Sequence, residues 1–187
     1  MSDETFVTDY LDHLTTTLRA DDLPSWLSEA KSAMESVKER KGRVWFAGNG
    51  ASASMASHYA LDFTKQVGID SSCFNNAALI TAYANDFGYE DWVARAIEHH
   101  AGSGDLAVLI SSSGRSPNML KAADSCRSLG VQVLSFTGFE STNDLRERSD
   151  VGFWADSRAY NVIESVHAAW LGILCDLIIG AREYSVS

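Results

Sequence analysis

Ile110-Ser111-Ser112-Ser113-Gly114-Arg115-Ser116 closes the apolar run that begins at Leu106 and leads into a helical pattern starting at Pro117. A buried strand that ends in a glycine and four hydroxyls, with a helix opening at once, is a strand-to-helix turn of a parallel α/β sheet. Such a turn gathers free backbone N–H groups, the positive end of a helix dipole and several serine donors at one point. A phosphate fits there without any lysine. The reading therefore points to a phosphorylated small molecule. An ordinary polar connection with a serine N-cap accounts less well for four hydroxyls in six positions.

Outward from this turn, strands and helices alternate. Upstream, Arg43–Ala47 predicts a strand ending at Gly48-Asn49-Gly50, then a helix over Ser52–Gln66, a short strand at Ser71–Phe74, and helices over Ala77–Ala84 and Tyr89–Ala101. Downstream, Pro117–Leu129 predicts a helix, Val131–Thr137 a strand, Asn143–Arg148 a short helix and Val151–Ala155 a last strand. Tyr160–Ile179 closes the pattern as a helix apolar on most of its circumference, which implies burial on several sides. This alternation means an α/β fold with a parallel sheet and helices on both faces. Ligands of such sheets lie at the carboxyl ends of the strands, where both glycine- or serine-rich turns fall. Asp3–Arg19 and Ser25–Arg40 read as two amphipathic helices, with Pro24 suited to the first turn of the second. They have no strand partners and are expected to pack against other subunits. The expected organisation is one domain over 1–187, a helical pair (1–41) preceding an α/β core (42–187).

Composition narrows the partners. The 187 residues carry a formal net charge of −10, which disfavours nucleic acid and anionic membranes as partners. An anionic metabolite is still possible, because a nest of N–H groups binds phosphate inside an acidic protein. Cys73, Cys126 and Cys175 have neither paired spacing nor an even count and read as reduced thiols. Met1–Tyr10 is polar and acidic, unlike a signal peptide, and the apolar tract around Ala168–Ile179 is broken by Gly172 and Asp176. A soluble, cytoplasmic protein is the expectation.

Four motifs in this order, Gly48-Asn49-Gly50-Ala51-Ser52, His58-Tyr59-Ala60-Leu61-Asp62, Asn85-Asp86-Phe87-Gly88 and Ser111–Ser116, resemble the sugar isomerase (SIS) domain. Within it the resemblance is to the sedoheptulose 7-phosphate (phosphoheptose) isomerase family and covers nearly the whole chain. It implies a three-layer α/β sandwich around a five-stranded parallel sheet and a homotetramer with sites at subunit interfaces. Ser111, Ser112, Ser113 and Ser116 would hold the sugar phosphate, while Asn49, Gly50, Ala51, Ser52, Asn85 and Asp86 would line the sugar. A divalent metal, usually zinc, is held in the family by a His and a Glu one helical turn apart and by a Gln and a His of the last helix. Here His58 matches the first ligand, Asp62 stands for Glu, Glu164 stands for Gln, and Gly172 occupies the position of the final His.

His58 and Asp62 at i and i+4 share a helix face, and Glu164 lies in the apolar pattern of Val162, Ile163 and Val166, where an unpaired carboxylate is expensive. A metal held by His58, Asp62 and Glu164 would relieve the repulsion between the two carboxylates. Purely structural roles for the His58–Asp62 pair and an exposed edge for Glu164 are the bland alternatives. His167 points away from position 172 by about 140° and reads as structural. The expected activity is aldose–ketose isomerisation of a sugar phosphate through an enediol(ate). Asp62 or Glu164, with a carboxylate pKa raised by burial, would serve as base and Asp86 as relay. The alternative is a non-catalytic phosphosugar- or protein-binding SIS protein similar to the bacterial replication-initiator-associating one. That protein also lacks the final His, and Cys175-Asp176-Leu177-Ile178 resembles its sequence.

Overall fold

A computed structural model describes residues 1–183. Its centre is one parallel sheet in the order β2-β1-β3-β4-β5, made of β1 (Val44–Gly48), β2 (Ser71–Cys73), β3 (Leu106–Ser111), β4 (Gln132–Thr137) and β5 (Val151–Trp154). Helices α1 (Asp3–Leu18), α2 (Leu23–Arg40), α3 (Ala51–Asp62), α4 (Ala77–Phe87), α5 (Trp92–His100), α6 (Pro117–Leu129), α7 (Asp144–Glu147) and α8 (Tyr160–Ile179) surround it. The apolar run of β3 is unbroken because both its faces are covered. Leu106, Val108 and Ile110 join Met34, Phe63, Phe136, Phe153 and Trp170 on one side. Ala107 and Leu109 join Trp45, Trp92, Ile97 and Met119 on the other.

The N-terminal helices find partners within this chain, which the sequence reading did not foresee. α2 buries Leu27, Ala30, Met34 and Val37 within this chain and contacts β5 and α8, while α1 lies along α8. The pattern of α2 is thus satisfied by its own sheet, which sequence periodicity cannot reveal. α1 does keep an exposed apolar stripe of Phe6, Val7 and Leu11. A second difference concerns α4, which runs on to Phe87, so Asn85 and Asp86 are helical. Asn76 caps its start by accepting from the N–H groups of Ala78 and Leu79, and Gly88 at φ 90° ends it. α3 ends in a π turn, Phe63–Val67, closed by Gly68 in the left-handed region.

α8 is long and apolar enough to cross a membrane by length and composition. Val162, Ile163, Val166, His167, Trp170, Leu171, Leu174 and Cys175 are nonetheless buried against the rest of the protein, so it is a core helix. His167 pins it to the sheet: its Nε2–H donates to the carbonyl of Thr137 at 2.9 Å. Burial strips solvent from the imidazolium and pushes the pKa down to about 4, against the weaker opposing pull of that carbonyl.

His167 is therefore neutral in the fold, whereas an unfolded histidine protonates near pH 6.5. Its contribution to stability is complete above pH 6.5 and is lost as the pH falls toward 4, at most about 3 kcal/mol. His167→Gln keeps an amide donor for Thr137 and removes the titration. Urea unfolding of this variant should lose about 2 kcal/mol less than the parent between pH 7 and pH 4.5. Equal losses in both proteins would contradict the assignment.

Candidate active site

In a sheet of this order the chain leaves in opposite directions from β1 and β3, and the crevice between their carboxyl ends is the ligand position of open α/β folds. Gly48 pairs with Ile110 across that boundary, so Asn49 and the serine turn emerge side by side. Gly48 lets α3 begin in contact with β1: a Cβ there would stand 2.5 Å from the backbone carbon of Ser52. Asn75 completes the strand end, accepting from Gly48 N–H at 3.1 Å and donating to Gly48 O at 2.8 Å. Gly114 takes φ 63°, and a side chain there would collide with the buried amide of Asn143. That amide caps α7 by accepting from Arg146 N–H at 3.0 Å.

Neither α3 nor α6 has a side-chain cap. Ser116, at the N-cap of α6, instead pairs its hydroxyl with that of Ser111 at 3.1 Å. Pro117 brings no N–H, and those of Ser52, Ala53 and Met119 are taken by the carbonyls of Asn49, Gly50 and Ser116. The N–H groups of Ala51 and Asn118 are left for an outside acceptor, with both positive dipole ends beside it. Asn49, Ser52, Ser111, Ser112, Ser113, Ser116, Tyr160 and Glu164 line a cleft of about 130 Å³ at this place. Asn49 is fixed by a reciprocal amide pair with the buried Asn118, at 3.0 and 2.9 Å, and accepts at Oδ1 from the Tyr89 hydroxyl at 3.1 Å. With Oδ1 accepting twice and one Nδ2 proton engaged, the remaining proton makes Asn49 a donor to a ligand. Arg115 is exposed, its backbone N–H donating to Ser113 Oγ at 3.2 Å.

The other expected residues are less tightly gathered. Gly50 and Ala51 form the start of α3 beside the cleft without lining it. Asn85 and Asp86 are exposed and hydrogen-bonded to each other at 2.9 Å, and α4 does not deliver them to the cleft of this chain. His58 and Asp62 lie six and ten residues past Ser52, about 9 and 15 Å along α3. His58 Nε2 stands 3.3 Å from Asp62 Oδ2, and Gln66 Nε2 donates to Asp62 Oδ1 at 3.2 Å. Glu164 faces the serine cradle.

The expected metal trio of His58, Asp62 and Glu164 is therefore not assembled. No group of three or more His, Cys, Asp or Glu side chains able to hold a metal occurs among the described residues. His58 and Asp62 stand in the second half of α3, whereas Glu164 lines the serine cleft. Gly172 lies beside a tie between α3 and α8. A Cβ there would stand 3.3 Å from the Tyr59 hydroxyl, which donates to Ala168 O at 2.5 Å and ties α3 to α8. Burial, followed by the nearby charge of Asp62, raises the Tyr59 pKa and keeps this proton in place.

Sequence reading missed Asn118, Tyr89 and Tyr160. Tyr160 was detectable, standing four residues before Glu164 on the same helix face. Asn118 and Tyr89 act through Asn49 across 69 and 40 residues of sequence, and no local pattern marks them.

With this geometry in hand, the chain matches the SIS domain family over residues 7–138. It is 34% identical over 146 residues to the phosphoheptose isomerase of Helicobacter pylori (strain Shi470), covering 75% of this chain and 76% of that one. It is 37% identical over 135 residues to the phosphoheptose isomerase of Mycobacterium tuberculosis (strain ATCC 25177 / H37Ra), covering 69% and 68%. The chain belongs to the SIS-domain phosphoheptose isomerase family. A solved phosphoheptose isomerase from Francisella tularensis superposes with a TM-score of 0.87 at 26% identity, over 95% of this chain and 98% of that one. The five-stranded parallel sheet is thus the family's SIS-type fold.

Two variants test the cradle. Ser116→Ala should weaken inorganic phosphate binding about tenfold in titration calorimetry, the loss of one hydrogen bond to a charged group. Gly114→Ala meets both an unfavourable φ and the Asn143 amide, and should lower the unfolding free energy by about 2 kcal/mol or more. Unchanged phosphate affinity in the first, or unchanged stability in the second, would contradict this description.

Proposed function

We propose that this chain interconverts a phosphorylated ketose and aldose, with sedoheptulose 7-phosphate as the first substrate to try. The uncapped convergence of α3 and α6 on the serine cradle is the observation that carries the reading, since it holds a phosphate and sets the register of the attached sugar. Family membership supplies the reaction class.

Isomerisation moves a proton between C1 and C2 through an enediol(ate), so it needs a base reaching both carbons and donors for the oxygen that gains charge. In a 7-phosphate these carbons lie at the far end of the chain from the cradle. Glu164, next to the serines, would repel phosphate but accept from the hydroxyls nearest it. Asp62 sits further along α3, oriented by Gln66 and adjacent to His58. We assign Asp62 as base, His58 as the group that shares and returns the proton, and Glu164 as a hydroxyl anchor. Asn49 offers its free N–H to a sugar or phosphate oxygen.

Asn85 and Asp86 enter this scheme from a neighbouring copy in a homotetramer, Asp86 as the relay. That assembly is supported by the exposed stripe of Phe6, Val7 and Leu11 on α1 and by the outward placement of Asn85 and Asp86. A soluble, cytoplasmic protein suits such a substrate.

The test is NMR of sedoheptulose 7-phosphate in D₂O, with protein assayed after metal stripping and after reloading with zinc or manganese. Deuterium should enter at the carbons flanking the transferred proton. Asp62→Asn should slow this at least about 100-fold, while Glu164→Gln should mainly raise KM. Exchange that survives in Asp62→Asn and vanishes in Glu164→Gln would reverse the two roles. No exchange under any metal condition would refute the isomerase reading.

A further inference from the structure

The cleft of about 130 Å³ is far smaller than the roughly 300–1,000 Å³ of a site that encloses a whole small molecule. It has room for the phosphate end and little else. The carbon chain must leave it over the rim, and the side chains standing there are Glu164 and, one turn before it on α8, Tyr160. Tyr160 is 57% exposed, so its ring is open to a ligand lying over the rim.

Its support is a strained turn. Phe139, directly after the turn that follows β4, has φ 55°, a backbone region that residues other than Gly, Asn and Asp rarely adopt. The turn is over-determined. Gly138 N–H donates to Ser112 O at 2.9 Å, and Phe139 N–H donates to Ser157 O at 2.9 Å. The Trp154 indole N–H donates to Phe139 O at 3.3 Å. A side chain at position 138 would run into Ile163 of α8. The serine cradle, the 138–139 turn and the start of α8 are thus locked together. In the outcome the Phe139 ring meets Tyr160 edge to face, with centroids 5.2 Å apart and planes at 71°. A glycine at 139 would relieve the backbone but remove this prop.

We infer that Tyr160, propped by Phe139, is a specificity-determining wall of the cleft, on which the carbon chain of a phosphorylated sugar lays its C–H face as it leaves the serine cradle. An aromatic ring offers an apolar platform to the C–H face of a polyol, while its hydroxyl can exchange hydrogen bonds with the chain. Glu164, on the same helix face, then accepts from hydroxyls on the chain's other edge. The cradle alone reads phosphate, and the wall reads what is attached to it. This rests on the proposed phosphosugar site and adds to it the group that separates a sugar phosphate from inorganic phosphate.

The experiment compares, by titration calorimetry, the affinities of the full chain for sedoheptulose 7-phosphate and for inorganic phosphate. Tyr160→Ala should lower the sugar phosphate affinity about tenfold and leave that for inorganic phosphate unchanged. Tyr160→Phe should restore most of the difference, because the ring is kept. Phe139→Gly, which suits the left-handed turn and so preserves the fold, should lower the sugar phosphate affinity about threefold. Loss of both affinities together, with or without a change in elution volume, would mean that Tyr160 holds the cradle or an interface, and would overturn the wall. Unchanged affinities would overturn it as well, and so would a parent protein that binds neither ligand. Turnover on the same preparations keeps the two ideas apart: selective loss of sugar binding without any parent turnover would sustain the wall and refute the isomerase reading.

Discussion

Two helices begin at adjacent strand ends with no side chain capping either, and the rest of the site depends on that shared vacancy. Backbone turns take up the N–H groups of Ser52, Ala53 and Met119, while those of Ala51 and Asn118 are donors that an ordinary loop would satisfy with a capping serine or aspartate. Here the available cap, Ser116, turns to Ser111 instead. The arrangement needs α3 pressed onto β1, which Gly48 permits, and the serine turn folded against Asn143, which Gly114 permits. A methyl group at either position would displace the donors by more than the tolerance of a hydrogen bond. An external anion is the simplest acceptor that satisfies both helix starts at once.

An acidic protein gains selectivity from such a site. With a net charge of −10, long-range attraction cannot draw anions to the surface at large. Binding therefore depends on local dipoles and hydroxyls, which reward a group of phosphate's size and shape. The carboxylates are kept at graded distances from the cradle: Glu164 at its rim and Asp62 about 15 Å along α3. That separation fits a ligand with an anion at one end and its reacting carbons at the other.

Much of this was legible in the sequence because it is encoded locally. The unbroken apolar run of β3, the turn glycines and Pro117 fix a strand, a turn and a helix within a dozen residues, and their alternation along the chain gives the parallel sheet. The serines of the cradle, Asn49, Ser52 and Glu164, each singled out from the sequence, line one cleft. What was illegible is tertiary. Nothing in the pattern of α2 says that β5 and α8 will cover it, nor that Asn118 and Tyr89 will saturate the Asn49 carbonyl. Helical spacing brought His58 to Asp62 but could not show that Glu164, on another helix, points at the serines instead. The glycine at 172, which stands at the position of the family's last histidine, lies beside the Tyr59 hydroxyl that binds Ala168, a closeness no local pattern marks.

The central claim is that the phosphate group is held by neutral donors at the β1–β3 crevice. The most direct measurement is the position of phosphorus in a crystal of the protein with sedoheptulose 7-phosphate. The account places it within hydrogen-bonding reach of the Ser111, Ser113 and Ser116 hydroxyls and the Asn118 N–H at the start of α6. The opposite, amino-terminal end of β4 offers a contrasting site, where Arg127 and Arg148 line a depression of about 360 Å³. Phosphorus bound between those two arginines, with the serine turn empty, would contradict the account.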